Sequence, residues 1–189
     1  FIWDPRCRRR NERCAQLVQT HDLPPTLLEY FGVKRPPDMQ GKVLRDTIAD
    51  DVPVRDAAIF GHFGGQVNCT DGRYVYMRNP ASPENTPLYN YTLMPTHMHE
   101  FFSLRELHSA ELANPFPFSK GCRVLKIQAK AFRTSQYENG TRLYDLANDP
   151  QQENPLHDPE LEQRMIAVMS RLMRENDAPP EQFERLGIN

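Results

Sequence analysis

Apolar residues fall into three regimes along this chain, and each regime predicts a different kind of structure. At the start they come in short clusters: Phe1-Ile2-Trp3 reads as a brief buried strand, and Leu17-Val18 as a second buried segment. Asp22 then stands where a helix N-cap belongs, with Leu23-Pro24-Pro25 in the first turn, where the missing N–H groups of proline do no harm. The spacing of Leu27, Leu28 and Phe31 predicts a helix, and Gly32 is placed to end it in the left-handed conformation. Residues 33–53 carry Pro36, Pro37, Gly41 and Pro53 around few apolar pairs, which predicts a long connection and a domain boundary there.

From Asp56 onward the period shortens to that of strands. Ala58-Ile59-Phe60, Gln66-Val67-Asn68-Cys69 and Tyr74-Val75-Tyr76-Met77 are candidate strands, and Asp71-Gly72 predicts a type I′ hairpin between the last two. After a proline-rich loop, Leu88 to Met94, Cys122 to Ile127 and Arg142 to Tyr144 extend the strand pattern. Two stretches return to helical spacing. One is Phe101, Leu104, Leu107, His108 and Leu112; the other is Leu161, Met165, Val168, Met169 and Leu172, opened by Asp158 as cap and Pro159 in the first turn. The methionine-rich stripe of this last helix is expected to pack on the chain's own sheet rather than on a partner. The predicted fold is α+β: a small antiparallel sheet of about four strands with a packed C-terminal helix, residues 51–189, preceded by a strand-helix segment, residues 1–50.

Composition removes several function classes. Lys and Arg number 23 against 25 Asp and Glu, giving a net charge of -2, so electrostatics name neither nucleic acid nor an acidic membrane as partner. No apolar run approaches the roughly 20 residues that span a bilayer, and no signal-peptide pattern is present. Cys7, Cys14, Cys69 and Cys122 are scattered, without the paired spacing of a zinc site. N-x-[ST] triplets begin at Asn68, Asn90 and Asn139 and leave the compartment open. The run from Arg6 to Cys14 holds five arginines and reads as a surface loop, with an anion-attracting lip as its functional alternative.

Candidate chemistry is sparse. His62 lies between Phe60-Gly61 and Phe63-Gly64-Gly65, a glycine-bearing loop where a strand end can present a side chain to a cleft. His97 and His99 flank Met98 just before a predicted helix; on an extended segment both rings share a face, but a third ligand is missing, so substrate contact is the better reading than metal. Arg73 follows the hairpin and is placed to meet an anion or simply to face solvent. Asp50-Asp51 and Asp145 with Asp149 are too few carboxylates for an oxygen-ligand metal site, and the second pair sits in a turn that suits Asp accepting backbone N–H bonds.

Two separated stretches resemble the sulfatases of the alkaline phosphatase superfamily. The first is Leu17-Val18-Gln19-Thr20-His21-Asp22-Leu23-Pro24-Pro25-Thr26-Leu27-Leu28-Glu29-Tyr30-Phe31-Gly32 with Asp38-Met39-Gln40-Gly41, similar to the stretch just downstream of the sulfatase catalytic core. The second is Leu143-Tyr144-Asp145-Leu146, Asn148-Asp149-Pro150, Glu153-Asn154, Leu156 and Asp158-Pro159-Glu160, similar to the segment that closes most sulfatase chains. The resemblance implies the C-terminal portion of a sulfate-ester hydrolase, with residues 1–50 completing the larger α/β catalytic domain. It implies that the nucleophile, a formylglycine made from a Cys- or Ser-x-Pro-x-Arg motif, and a calcium or magnesium ion both belong to a preceding catalytic domain, since no such motif occurs in this sequence. The portion in hand then supplies no catalytic residue and no metal ligand; His62, Arg73, His97 and His99 become candidate contacts to a sulfated small molecule or carbohydrate. A phosphodiesterase or phosphonate monoester hydrolase shares the layout, and a non-catalytic binding module is the reading of a different class.

Overall fold

The computed structural model describes residues 2–94, 96–97, 99–131 and 137–188. Among the described residues seven strands form two antiparallel sheets. In the first, β1 (Ala58–Gly61), β2 (Val67–Thr70), β3 (Tyr74–Arg78) and β7 (Arg142–Asp145) lie in the order β1-β2-β3-β7. In the second, β4 (Tyr89–Thr92), β5 (Glu111–Ala113) and β6 (Val124–Gln128) lie in the order β4-β6-β5. The α-helices among the described residues are α1 (Leu23–Tyr30), α2 (Arg45–Asp50), α3 (Leu104–Leu107), α4 (Pro159–Glu175) and α5 (Pro180–Leu186). The α+β class stands, with the expected four-stranded sheet and C-terminal helix.

The core follows from register. Ile59 pairs with Cys69, Cys69 with Tyr76 and Tyr76 with Leu143, so a single row of side chains crosses all four strands on one face. Helix α4 lies on that row with Met165 and Met169 fully buried, and Leu172, Met173, Leu186 and Ile188 complete the cluster. The methionine stripe is therefore core, where an unbranched side chain fills the irregular space over a twisted sheet. Asp158 caps α4 by accepting the Leu161 N–H at 3.0 Å, and Pro159 occupies the first turn.

Several expectations are corrected. Phe1 lies outside the described residues, while Ile2 and Trp3 are exposed and form no strand, because no element among the described residues packs over them. Val18 is likewise exposed. The connection 33–53 contains α2, a six-residue helix without apolar periodicity, anchored by buried Leu44 at its N-cap and buried Thr47 within it. The helical spacing over Phe101–Leu112 gives only the single turn of α3, closed by a Ser103/Glu106 capping box; Phe101 and Leu104 point to solvent and residues 111–113 pair with β6 instead. One turn of helix fixes many dihedrals for few hydrogen bonds, so an open strand edge nearby wins. The Asp71-Gly72 turn is wider than type I′. Thr70 pairs with Val75, only Gly72 has positive φ (+94°), and Asp71 Oδ1 closes the loop by accepting the N–H groups of Arg73 and Tyr74.

Candidate functional site

The β1–β2 turn carries His62. Its backbone closes with Gly65 N–H donating to the His62 carbonyl at 3.0 Å, and Gly64 takes φ +70°. The imidazole lies against the backbone of Gly65: a Cβ there would sit 2.4 Å from His62 Nε2. That contact explains the second glycine, which leaves room for a ring where any side chain would collide. The turn is braced from below. Asn85 Nδ2 donates to the Gly64 carbonyl at 2.6 Å, and Arg185 Nη1 donates to the Gly65 carbonyl at 3.1 Å and to Asn85 Oδ1 at 2.8 Å. Gln66, next along, donates through Nε2 to Asn79 Oδ1, and Asn79 Nδ2 donates to the Tyr137 carbonyl at 3.0 Å. His62 thus stands at one end of the first sheet on a polar, well-tied turn.

Arg73 is at the other end of β2, separated from His62 by a strand that advances about 3.3 Å per residue. Its guanidinium grips Asp145 with two bonds, Nη2 to Oδ2 at 2.9 Å and Nε to Oδ1 at 3.3 Å, and lies over the Tyr74 ring. Asp145 also accepts the Ala147 N–H and the Asn148 side chain; the Arg73 bond above all holds its carboxyl below the usual range, against the opposing effect of burial. Asp149 accepts the N–H groups of Glu153 and Asn154. Both acids of the closing motif are therefore spent on a turn and an ion pair.

His97 and His99 belong to the approach to α3. His97 Nε2 meets Glu106 Oε1 at 2.8 Å and its ring packs on Phe102 at 4.1 Å, whereas His99 is exposed and has no hydrogen bond or ion pair among the described residues. Glu106 is held at about 2, first by the Ser103 hydroxyl, then by the Ser103 N–H and His97. The structure thus places the four candidate residues at three locations, two of them at opposite ends of one sheet. Among the described residues no three His, Cys, Asp or Glu side chains gather as a metal would need.

Two buried charges escaped the sequence reading. Asp22, fully buried, is the hub of residues 17–55: its oxygens accept the N–H groups of Gln19 and Lys42 at 2.7 and 2.8 Å and both Arg55 Nη groups at 2.5 and 2.6 Å. Burial pushes its carboxyl up, but the Arg55 guanidinium and the two N–H groups outweigh this and hold it at about 2. Arg185 is the other, and nothing near it in sequence signalled its burial. A cleft of about 320 Å³ beside α1 is lined by His21, Pro24, Asp38, Gly41, Phe118 and Asn176.

The chain matches no family model and no curated protein. Among the described residues no helix is long and apolar enough to cross a membrane.

Proposed function

We propose that this chain is the C-terminal portion of a sulfate-ester hydrolase, shaping the wall of the substrate pocket and supporting a catalytic domain that carries the nucleophile and the metal. The observation that carries the reading is an apolar surface concentrated in the first 33 residues. Ile2, Trp3, Val18, Leu23, Leu27, Phe31 and Val33 are all exposed, with Trp3 at 67% and Phe31 at 70%. Exposed apolar side chains gathered in one stretch of chain are where a partner is expected to cover them. Its position on residues 1–50, which hold the stretch that resembles the edge of the sulfatase α/β domain, supports the rest of that domain as the partner.

The fate of the two resembling stretches supports a structural rather than chemical role for this portion. The first builds the Asp22 hub, and through Gln19 Nε2 donating to the Ile59 carbonyl at 2.8 Å it ties the segment to β1. The second builds the Asp145–Asp149 turn and the cap of α4. The surface offered to a sulfated small molecule or carbohydrate is the loop surface, with His62 on a turn held by Asn85 and Arg185. The hydrolysis needs charge stabilisation on the sulfuryl oxygens, an attacking group and an acid for the leaving alcohol. The calcium or magnesium and the formylglycine would supply the first two from the catalytic domain.

The test is the full-length enzyme assayed on aryl sulfate, phosphodiester and phosphonate substrates, as wild type and His62→Ala. Sulfate release, with turnover on the native substrate lowered by His62→Ala at nearly unchanged thermal stability, is the expected result. Preference for a phosphodiester or phosphonate moves the protein to the neighbouring hydrolases. Unaltered kinetics in His62→Ala defeats the pocket role.

A further inference from the structure

We propose that Arg185 anchors a binding site for a tetrahedral oxyanion beneath the His62 turn. Arg185 is 3% exposed, yet every acceptor it meets is neutral: Gln182 Oε1 at 2.9 Å from Nε, and the Gly65 carbonyl and Asn85 Oδ1 from Nη1. No carboxylate pairs with it among the described residues, and burial alone acts on the guanidinium, pushing its pKa down. A buried charge is ordinarily paired or bound to an ion, because leaving it unpaired in a low-dielectric site is costly. The brace on the turn takes two N–H groups, and Gln182 in the same helix a third, but neither accounts for the charge, since a neutral amide would serve those oxygens without burying a cation.

The two N–H groups of Nη2 reach no acceptor among the described residues. Nor is Nη2 one of the sealed, unpartnered polar atoms, which among the described residues are Asp51 Oδ1 and Asn68 Oδ1; it therefore borders accessible space. The geometry selects the class of anion. A carboxylate binds guanidinium best through two parallel bonds, from Nε with Nη2 or from Nη1 with Nη2. Nε and both N–H groups of Nη1 are already committed, so neither fork is open. A tetrahedral oxyanion needs no fork: it offers an oxygen to a single Nη2 N–H from any direction and, carrying up to two charges, is drawn to the buried cation more strongly than a singly charged carboxylate. Gly65 links this charge to the candidate site: Arg185 holds its carbonyl, and the His62 ring lies against its Cα. An anion bound at Nη2 would neutralise the buried cation and stiffen the turn that carries His62.

The inference is independent of the hydrolase reading, because it is tested by binding to this 189-residue chain with no catalytic domain present. Sodium sulfate, sodium phosphate and sodium acetate are titrated against the labelled chain at ionic strength matched with sodium chloride, following the Gly65 and Asn85 amides and the Arg185 Nε–H by NMR. The expected result is saturable shifts at these three groups with sulfate or phosphate, at least tenfold tighter than with acetate. Whichever of the two binds tighter identifies the source of the oxyanion. Arg185→Lys should weaken binding at least tenfold. Linear shifts, shifts centred on Arg8, Arg10 and Arg13, or acetate binding as tightly as sulfate would overturn the proposal, and the wild-type map decides even if the variant does not fold.

Discussion

Removing the Asp22 carboxylate is the perturbation whose consequence can be worked furthest. Asp22 is fully buried, and the Arg55 side chain that grips it is about one-tenth exposed. Asp22→Ala leaves a buried guanidinium and two backbone N–H groups without their acceptor, which for a broken buried pair costs about 3–5 kcal/mol. The pH dependence gives a second, independent figure. A carboxyl held at about 2 against an ordinary 3.8 contributes on the order of 2 kcal/mol, at about 1.4 kcal/mol per pH unit. Because the folded value is the lower one, that contribution is complete above about pH 4 and is lost as pH falls from there through about 2. Urea unfolding followed by circular dichroism at pH 7, 5 and 3 measures both. Asp22→Ala should unfold at markedly lower urea at pH 7, and the gap from wild type should narrow at pH 3. Asp22→Leu with Arg55→Met should recover much of the loss, since an apolar pair removes both desolvated charges together. A single variant within about 0.5 kcal/mol of wild type, the ordinary scatter of surface substitutions, or a gap that ignores pH, would refute the reasoning.

Gly65→Ala should move the His62 ring off the backbone while costing little stability, because the atom it strikes is the far end of a side chain and Gly65 itself needs no left-handed conformation. A changed His62 ring resonance with a melting temperature within about 2 °C is expected; an unfolded variant would contradict the local geometry. Trp3→Ser with Phe31→Ser should leave the melting temperature of this chain nearly unchanged and lower its binding of a hydrophobic dye. A large loss of stability would mean that these side chains are buried rather than presented to a partner.

Local chemistry made some of the fold legible and distance hid the rest. The cap and apolar stripe of α4 are complete within seventeen residues, so Asp158, Pro159 and the methionines announced them. The strands were visible as short β-branched and aromatic runs. Their division into two sheets was not, because β4 meets β6 across more than thirty residues and nothing in either strand names its neighbour. Helix α5 carried signals that went unread: Pro180 in its first turn and Gly187, at φ +60°, just past its end. Asp22 does stand at the N-cap position of α1, but its side chain makes no cap hydrogen bond there. Its real partners, Lys42 and Arg55, lie 20 and 33 residues away.

The site was legible in the same uneven way. The glycines beside His62 marked a turn where a side chain approaches backbone, and the structure gives the ring contact that a side chain at Gly65 would displace. Arg73 looked free until β7 brought Asp145 to it from 72 residues away. His97 found its carboxylate within nine residues, but through a capping box that serves α3 first. Arg185 reads as an ordinary charged position on a short helix, and only the turn folded over it makes it a buried cation.

The central claim is that this chain supports a sulfate-ester hydrolase, and mass analysis of the full-length protein coupled to a sulfate-release assay tests it most directly. The account predicts a formylglycine in a Cys- or Ser-x-Pro-x-Arg motif upstream of this portion and release of sulfate from an aryl or carbohydrate sulfate. A full-length protein with no such motif and no release of sulfate would contradict it.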